Sequence, residues 1–527
     1  MQEIAKALDG DLCPAHKDDA SILLLDREPI RWEGSKQRGL GWIEGDLWRG
    51  DASDWGAAAR RGACGLVIEG RHRFVHSGVN GLAPVYWIDD GRATYFASRI
   101  DPLVQAATKA LSVDWDAWAA IIALRHPLGE RTPFAEIRRL GPSCTLRRRI
   151  GRGRTHSQDW PWAEIEPGTD IEAAADSIVA GLLETLAPLE GEIVSPLSGG
   201  KDSRLLLCAL ARLGGASIAV TVGDDEGETF EEDLAGPVAA ALSIPHERLG
   251  GNSDAYPEDW EERARRVEYQ FVDHAWLVPL ARRLEGVQTP VPDGWAMDML
   301  LQSDTHFYSP ETLERLPGRR AGWVMFDSLR RYGKAQLALA ETFHEPIVAR
   351  ARDQFLAISK PFEGHPSQAV LAFYATRTVR GISTYPTGLL GEGAQILTPA
   401  ACDRVATPAL SVTSAAKRNN SLFHAAFERL GPQVGALPST ATEARSAPRL
   451  PRRWRSDQAV EMHRRLIAEG PLSPMISPEL TAWLRAPRRG ELSGDLRLGM
   501  EAVSLFHAWW RRYRNRLQEV DSRDIHR

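Results

Sequence analysis

The sequence predicts an α/β protein in two parts. A strand-rich N-terminal domain spans residues 1–155, and a doubly wound parallel sheet with helical C-terminal additions spans 171–527. Three observations carry this. Before residue 150, short apolar runs ("GLVIEG", "RFVHSG", "PVYWI", "TYFAS") are broken by Gly, Asn and Asp, as in antiparallel hairpins. From 171 onward, strand-like runs alternate with helix-like ones, the pattern of a parallel sheet with crossover helices. After about residue 310 the pattern is mainly helical.

Taken in order, "VDWDAWAAIIALRHPLG" reads as a helix entered through a capping Asp. The polar, Pro-bearing "GRTHSQDWPWAEIEPGTD" reads as the linker between the two parts. Then "DIEAAADSIVAGLLETLAPL" is a helix, "EIVSPLS" a strand, "DSRLLLCALARLG" a helix, "SIAVTVG" a strand and "FEEDLAGPVAAALSI" a helix. Residues 436–456, rich in Pro, Ala and Arg, read as a mobile loop, and "MEAVSLFHAWWRRYRNRLQEV" closes the chain as a helix.

Composition narrows the function classes. Of 527 residues, 43% are hydrophobic and 25% charged, ordinary values for a globular protein. A net charge of −6 argues against a global nucleic-acid footprint. The Arg-rich "RLPRRWR" and "WWRRYRNR" therefore read as helix-end charges or a surface for an acidic partner. No 18-residue apolar run suggests a membrane span, and the N-terminus lacks the basic-then-apolar order of a signal peptide. Five scattered cysteines without metal spacing read as reduced thiols, so the expected location is cytoplasmic.

The chemistry starts at "SGGKDS", Ser198 to Ser203, where a strand runs into a helix. Unpaired N–H groups at a helix start favour an anion. Gly199 and Gly200 permit close backbone approach, Ser198 and Ser203 offer hydroxyls, and Lys201 offers positive charge. Asp202 would repel a phosphate unless a cation lay between them, which implies Mg²⁺. The spacing is not that of a Walker A loop. A Gly-rich turn without a ligand is the alternative.

The string resembles the pyrophosphate loop of ATP pyrophosphatases, and its neighbours resemble the asparagine synthetase-like amide ligases. "FASRIDPLVQA" is similar to a signature of that family's N-terminal domain, and "DGWAMDMLL" to its loop carrying a second Mg²⁺ aspartate. The resemblance implies a glutaminase-like (Ntn-type) αββα domain followed by an ATP-pyrophosphatase domain. It implies Mg²⁺ on Asp202 and Asp298, adenine against the backbone near Val222, and cofactor binding by Asp293 and Gly294 as well.

The N-terminal domain departs from the family at each part needed to release ammonia from glutamine. Gln2 stands where the nucleophilic Cys belongs, Glu44 where an oxyanion-hole amide belongs, and Gly78 where an Asp should bind the substrate amine. The domain reads as a degenerate relic or docking surface, with Cys13 as a relocated nucleophile the alternative. The amine would then come from the substrate itself, as in β-lactam synthetases and lasso-peptide macrolactam synthetases. Trp295 replaces the Tyr or Glu of the small-substrate enzymes and cannot act as a base. The Asp-Gly-x-x-x-Asp loop and "LPST" resemble the lasso group more closely.

Further candidates lie C-terminal. Arg377 and Arg380, one turn apart on a helix, could clamp phosphate or carboxylate, or be a solvated pair. Lys417 matches a family Lys before a long helix, and with Lys201 and Arg380 makes up the catalytic candidates. The expected enzyme adenylates a substrate carboxylate with ATP and Mg²⁺ and closes an amide, with a peptide substrate, a leader peptidase and a leader-binding protein as partners. A small-molecule amide or β-lactam synthetase, or an ammonia-dependent asparagine synthetase, is the alternative.

Overall fold

A computed structural model describes residues 63–91, 93–149, 154–215, 217–223, 230–250, 253–302, 316, 318–330, 334–440, 442–443, 456–486, 492–521 and 524–525, together with the backbone of four strands nearer the N-terminus. Gln2, Glu44, the side chain of Cys13 and the "RLPRRWR" run lie outside the described residues. The molecule is mixed α/β.

The N-terminal half holds two sheets. One runs β1 (Cys13–Lys17), β2 (Ser21–Leu25), β8 (Thr94–Ala97), β7 (Tyr86–Asp89), β9 (Arg138–Arg139). The other runs β11 (Arg154–Gln158), β10 (Cys144–Arg149), β6 (His72–His76), β5 (Ala63–Glu69), β4 (Arg38–Ile43), β3 (Ile30–Glu33). Pairing is antiparallel except between β2 and β8. Alternating apolar residues meet between the sheets: Leu66, Ile68 and Val75 from one side, Val85 and Phe96 from the other.

The stretch read as a linker is built into the fold. Arg154–Gln158 adds β11 to the sheet edge with every residue exposed, and Trp160 and Trp162 are buried beyond it. Two large indoles gain more from burial than a free tether would keep in entropy.

In the second half, β12 (Val194–Pro196), β13 (Ile218–Val222) and β14 (His246–Leu249) are parallel neighbours. Beside β12 lies β15 (Val291–Pro292), paired in parallel with β16 (Ile396–Leu397). The crossovers are the helices Lys201–Arg212 and Phe230–Ala241. Along β13, Ala219 joins the core shared with the Lys201–Arg212 helix, while Val220 and Val222 join the cluster formed with the Val278–Leu284 helix. Period-two alternation thus covers the sheet with helices on both faces.

Sequence punctuation acts as expected at helix starts. Asp114 caps Trp115–Leu124 by accepting from the Ala117 N–H, and Asp170 caps Ile171–Leu186 through Ala173. The first of these helices packs against His344–Ser359, and Trp118 meets Phe506 edge-on at 4.8 Å. The two halves therefore share one apolar core. Among the described residues, no helix is long and apolar enough to cross a membrane.

Candidate active site

The Ser198–Ser203 turn lies at the C-terminal end of β12, where the helix Lys201–Arg212 begins. Its hydroxyls brace it: the Ser198 N–H donates to Ser203 Oγ at 3.0 Å, and the Gly200 N–H to Ser198 Oγ at 3.2 Å. Gly199 is required by close approach. A Cβ there would stand 2.9 Å from Thr440 Cγ2 and 3.0 Å from Leu234 Cβ. Thr440, at the end of "LPST", donates its N–H to the Gly199 carbonyl at 3.0 Å.

Gly294 serves the same purpose on the other side. A Cβ there would lie 3.0 Å from both the backbone carbon and Cβ of Asp202, so only glycine lets the Asp293–Asp298 loop rest on this helix start. Asp293 then locks that loop. Its Oδ1 accepts from the Trp295 N–H at 2.8 Å, and its Oδ2 from the Tyr385 hydroxyl at 2.6 Å. Burial raises the Asp293 pKa, and these two hydrogen bonds partly offset that.

A cavity of about 420 Å³ opens between these elements. Of the nucleotide and metal candidates, Ser198, Gly200, Asp202, Ser203, Val222, Asp293, Gly294 and Asp298 all line it. Gly199 contributes from behind, donating its N–H to Glu231 Oε2 at 2.6 Å. Apolar side chains line the part near β13 (Val220, Val222, Leu277, Leu280), while Arg377, His274 and Tyr385 supply polar groups.

Asp202 decides the electrostatics. Burial raises its pKa well above the carboxylate range, and repulsion from Asp298 and Asp293 adds to this. Its Oδ1 is buried with no hydrogen-bond partner. An orphaned carboxylate oxygen beside a second aspartate is the environment a hard divalent cation corrects, so the residues fit Mg²⁺ on Asp202 and Asp298. Two carboxylates are few for a metal site, but Mg²⁺ commonly takes most of its ligands from phosphate and water. Among the described residues, the tighter donor cluster is Glu130, Cys144 and His156, within 4.8 Å of one another. Glu130 and Cys144 border a different cavity, and Glu130 there pairs with His156 at 3.1 Å.

The three catalytic candidates do not line the 420 Å³ cavity. Lys201 opens the helix and is partly buried, which lowers its pKa. Lys417 is fully buried, its Nζ donating to the Leu300 carbonyl at 2.7 Å. There it caps the end of Met297–Leu301, the short helix carrying Asp298. Arg380 is turned away, reaching the Arg131 carbonyl and lining the second cavity of about 530 Å³. Its neighbour Arg377 lines the candidate site. The reason is local: Tyr374–Ile382 is π-helical, so residues three apart no longer stack on one face as in an α-helix.

Sequence reading missed Glu231, His274 and Tyr385. Each reaches the site from a segment without a motif, and only their folded proximity identifies them. No protein-family model matches this chain, and no curated protein sequence matches it.

Proposed function

We propose that this chain is an ATP-dependent, AMP- and pyrophosphate-forming ligase that adenylates a substrate carboxylate and closes an amide. The observation that carries this reading is the unpartnered Oδ1 of Asp202, set beside Asp298 in a cavity bordered by the Ser198–Ser203 turn and an apolar wall at Val222. In this reading residues 171–527 form an ATP-pyrophosphatase domain, and the N-terminal sheets form a glutaminase-like αββα unit that has lost its chemistry.

The Ser198–Ser203 turn, at the start of the Lys201–Arg212 helix, holds the pyrophosphate portion of ATP, with the base against Val220 and Val222. Mg²⁺ on Asp202 and Asp298 neutralises phosphate charge when bound. Gly294 holds Asp298 against the helix start, and Lys417 secures the helix that carries it. The substrate carboxylate attacks the α-phosphorus, pyrophosphate leaves, and an amine displaces AMP from the acyl-adenylate. Arg377, at the polar part of the cavity, is placed to orient the carboxylate.

The amine belongs to the same substrate in this reading, a peptide whose side-chain carboxylate joins its own N-terminus as in lasso-peptide macrolactams. Trp295 supports it, because it stands at the loop position where the small-substrate enzymes carry Tyr or Glu. ATP–pyrophosphate exchange tests the proposal. A linear peptide with a free N-terminus and an internal Asp or Glu is expected to support exchange and lose one water. Exchange with aspartate or a β-amino acid alone would assign a small-amide ligase, and no exchange with any acid would end the adenylation reading.

A further inference from the structure

Amide formation releases a proton, and Trp295 cannot accept it, while Asp293 is engaged by the Trp295 N–H and the Tyr385 hydroxyl and Asp298 is assigned to Mg²⁺. His274 lines the same cavity. Its Nδ1 is buried and has no hydrogen-bond partner, although the residue as a whole keeps some exposure. With the ring proton on that enclosed Nδ1, Nε2 keeps its lone pair for the cavity side.

The backbone at His274 is held in the left-handed region at φ 74°, a conformation that is strained for a non-glycine residue. The ring is enclosed by aromatic neighbours, with Phe271 at 5.0 Å, Tyr385 at 5.9 Å and Trp276 at 6.3 Å. Next to it, Asp273 is paired with Arg125 at 2.6 Å, so the adjacent carboxylate is already engaged. The structure thus maintains a strained residue whose one shielded nitrogen is satisfied by nothing in the fold.

Resting on the adenylation reading, we infer that His274 is the catalytic base of the second half-reaction. The amine lone pair attacks the acyl-adenylate carbonyl carbon and the C–N bond forms. The C–O bond to phosphate breaks, and AMP leaves with that electron pair. The proton from nitrogen passes to Nε2, the ring nitrogen that the fold does not enclose, and from there to water. The charged groups facing the ring are Asp273, Arg125, Arg377 and Arg263. Burial first, then the three arginines against Asp273, depresses the His274 pKa to about 4, which keeps the imidazole neutral near pH 7. A weak base suffices, because attack makes the nitrogen cationic and strongly acidic.

The test separates the half-reactions in His274→Asn, chosen because Asn tolerates a left-handed backbone, with His274→Gln as a second variant. ATP–pyrophosphate exchange is measured with aspartate, a β-amino acid and the linear peptide. Amide formation is followed by mass, and the adenylate is also trapped with hydroxylamine, which is largely unprotonated near neutral pH. Exchange and hydroxamate formation are expected within threefold of wild type, while amide formation falls about 100-fold or more. Amide formation within threefold of wild type overturns the role of His274 alone. So does a parallel fall in exchange and amide formation, the mark of a residue that only positions substrate. Absence of exchange in the wild-type chain with every acid overturns the adenylation reading, and His274 with it.

Discussion

Two serine–glycine turns follow strands in this molecule, and they end differently. At Ser77–Gly81 the polar side chains are consumed by the fold. The Ser77 hydroxyl donates to the Gly141 carbonyl, and the Gly78 N–H to Cys64 Sγ at 3.3 Å. Asn80 Nδ2 reaches the Ala401 carbonyl at 3.1 Å, and the Asn80 carbonyl accepts from the Tyr374 hydroxyl. At Ser198–Ser203 the turn borders a cavity, and the Asp202 carboxylate keeps an unanswered oxygen. The first arrangement fastens the N-terminal sheets to the C-terminal helices. The second retains an electrostatic deficit that only something from outside the chain can relieve.

The comparison is sharpest at Asp202. Asp202→Asn is expected to cut pyrophosphate exchange by about three orders of magnitude, since Mg²⁺ loses a charged ligand. Its melting temperature should match or exceed that of wild type, because a like-charge conflict is removed. A stability loss with normal exchange would show that Asp202 is structural, like Asn80.

Gly294→Val probes the same turn by crowding. The added side chain must displace the backbone of Asp202 or its own loop, so about 1–3 kcal/mol of stability and most of the exchange activity should be lost together. Unchanged exchange would separate the Asp298 loop from the site.

Asn80→Ala is the mirror experiment. It strands the buried Ala401 carbonyl and the Leu82 N–H, so denaturant titration should show a loss of about 1–3 kcal/mol. Exchange per folded molecule should stay near wild type, and a large fall would mean that the seam controls the site.

A further effect, on the slope of stability against pH, concerns Lys417. Burial lowers its pKa to about 7, below its value in the unfolded chain. The unfolded state therefore binds more protons between about pH 7 and 10, and stability rises with pH by up to about 1.4 kcal/mol per unit over that window. This contribution is lost as pH falls through 7. In Lys417→Met the slope should vanish; an unchanged slope would place a charged lysine there.

Much of the scaffold was legible in local pattern. The strands β5 to β8, β12 and β13, the helix cap at Asp114 and the crossover helices follow from periodicity and capping chemistry, which act over a few residues. The stretch around Trp160 misled, because polar and Pro-bearing composition resembles a linker until the partners of its two indoles are known. Arg380 misled because α-helical spacing was assumed where the backbone is π-helical. His274 gave no signal, since neither its left-handed backbone nor its cavity is written in the residues beside it.

By itself, then, the sequence determined the strand–helix alternation around β12 and β13, the Gly-rich strand-to-helix turn at Ser198–Ser203 and the presence of two candidate acidic loops. Those are short-range properties, set by side-chain periodicity and by which backbone conformations glycine allows. Tertiary structure decided which groups share a cavity and which are spent on the fold. It brought Gly294 onto Asp202, Thr440 onto Gly199 and His274 beside Tyr385, and it withdrew Arg380 and Lys417. Such choices depend on contacts between residues far apart in sequence, where burial decides whether a charge is answered by the chain or left for a ligand.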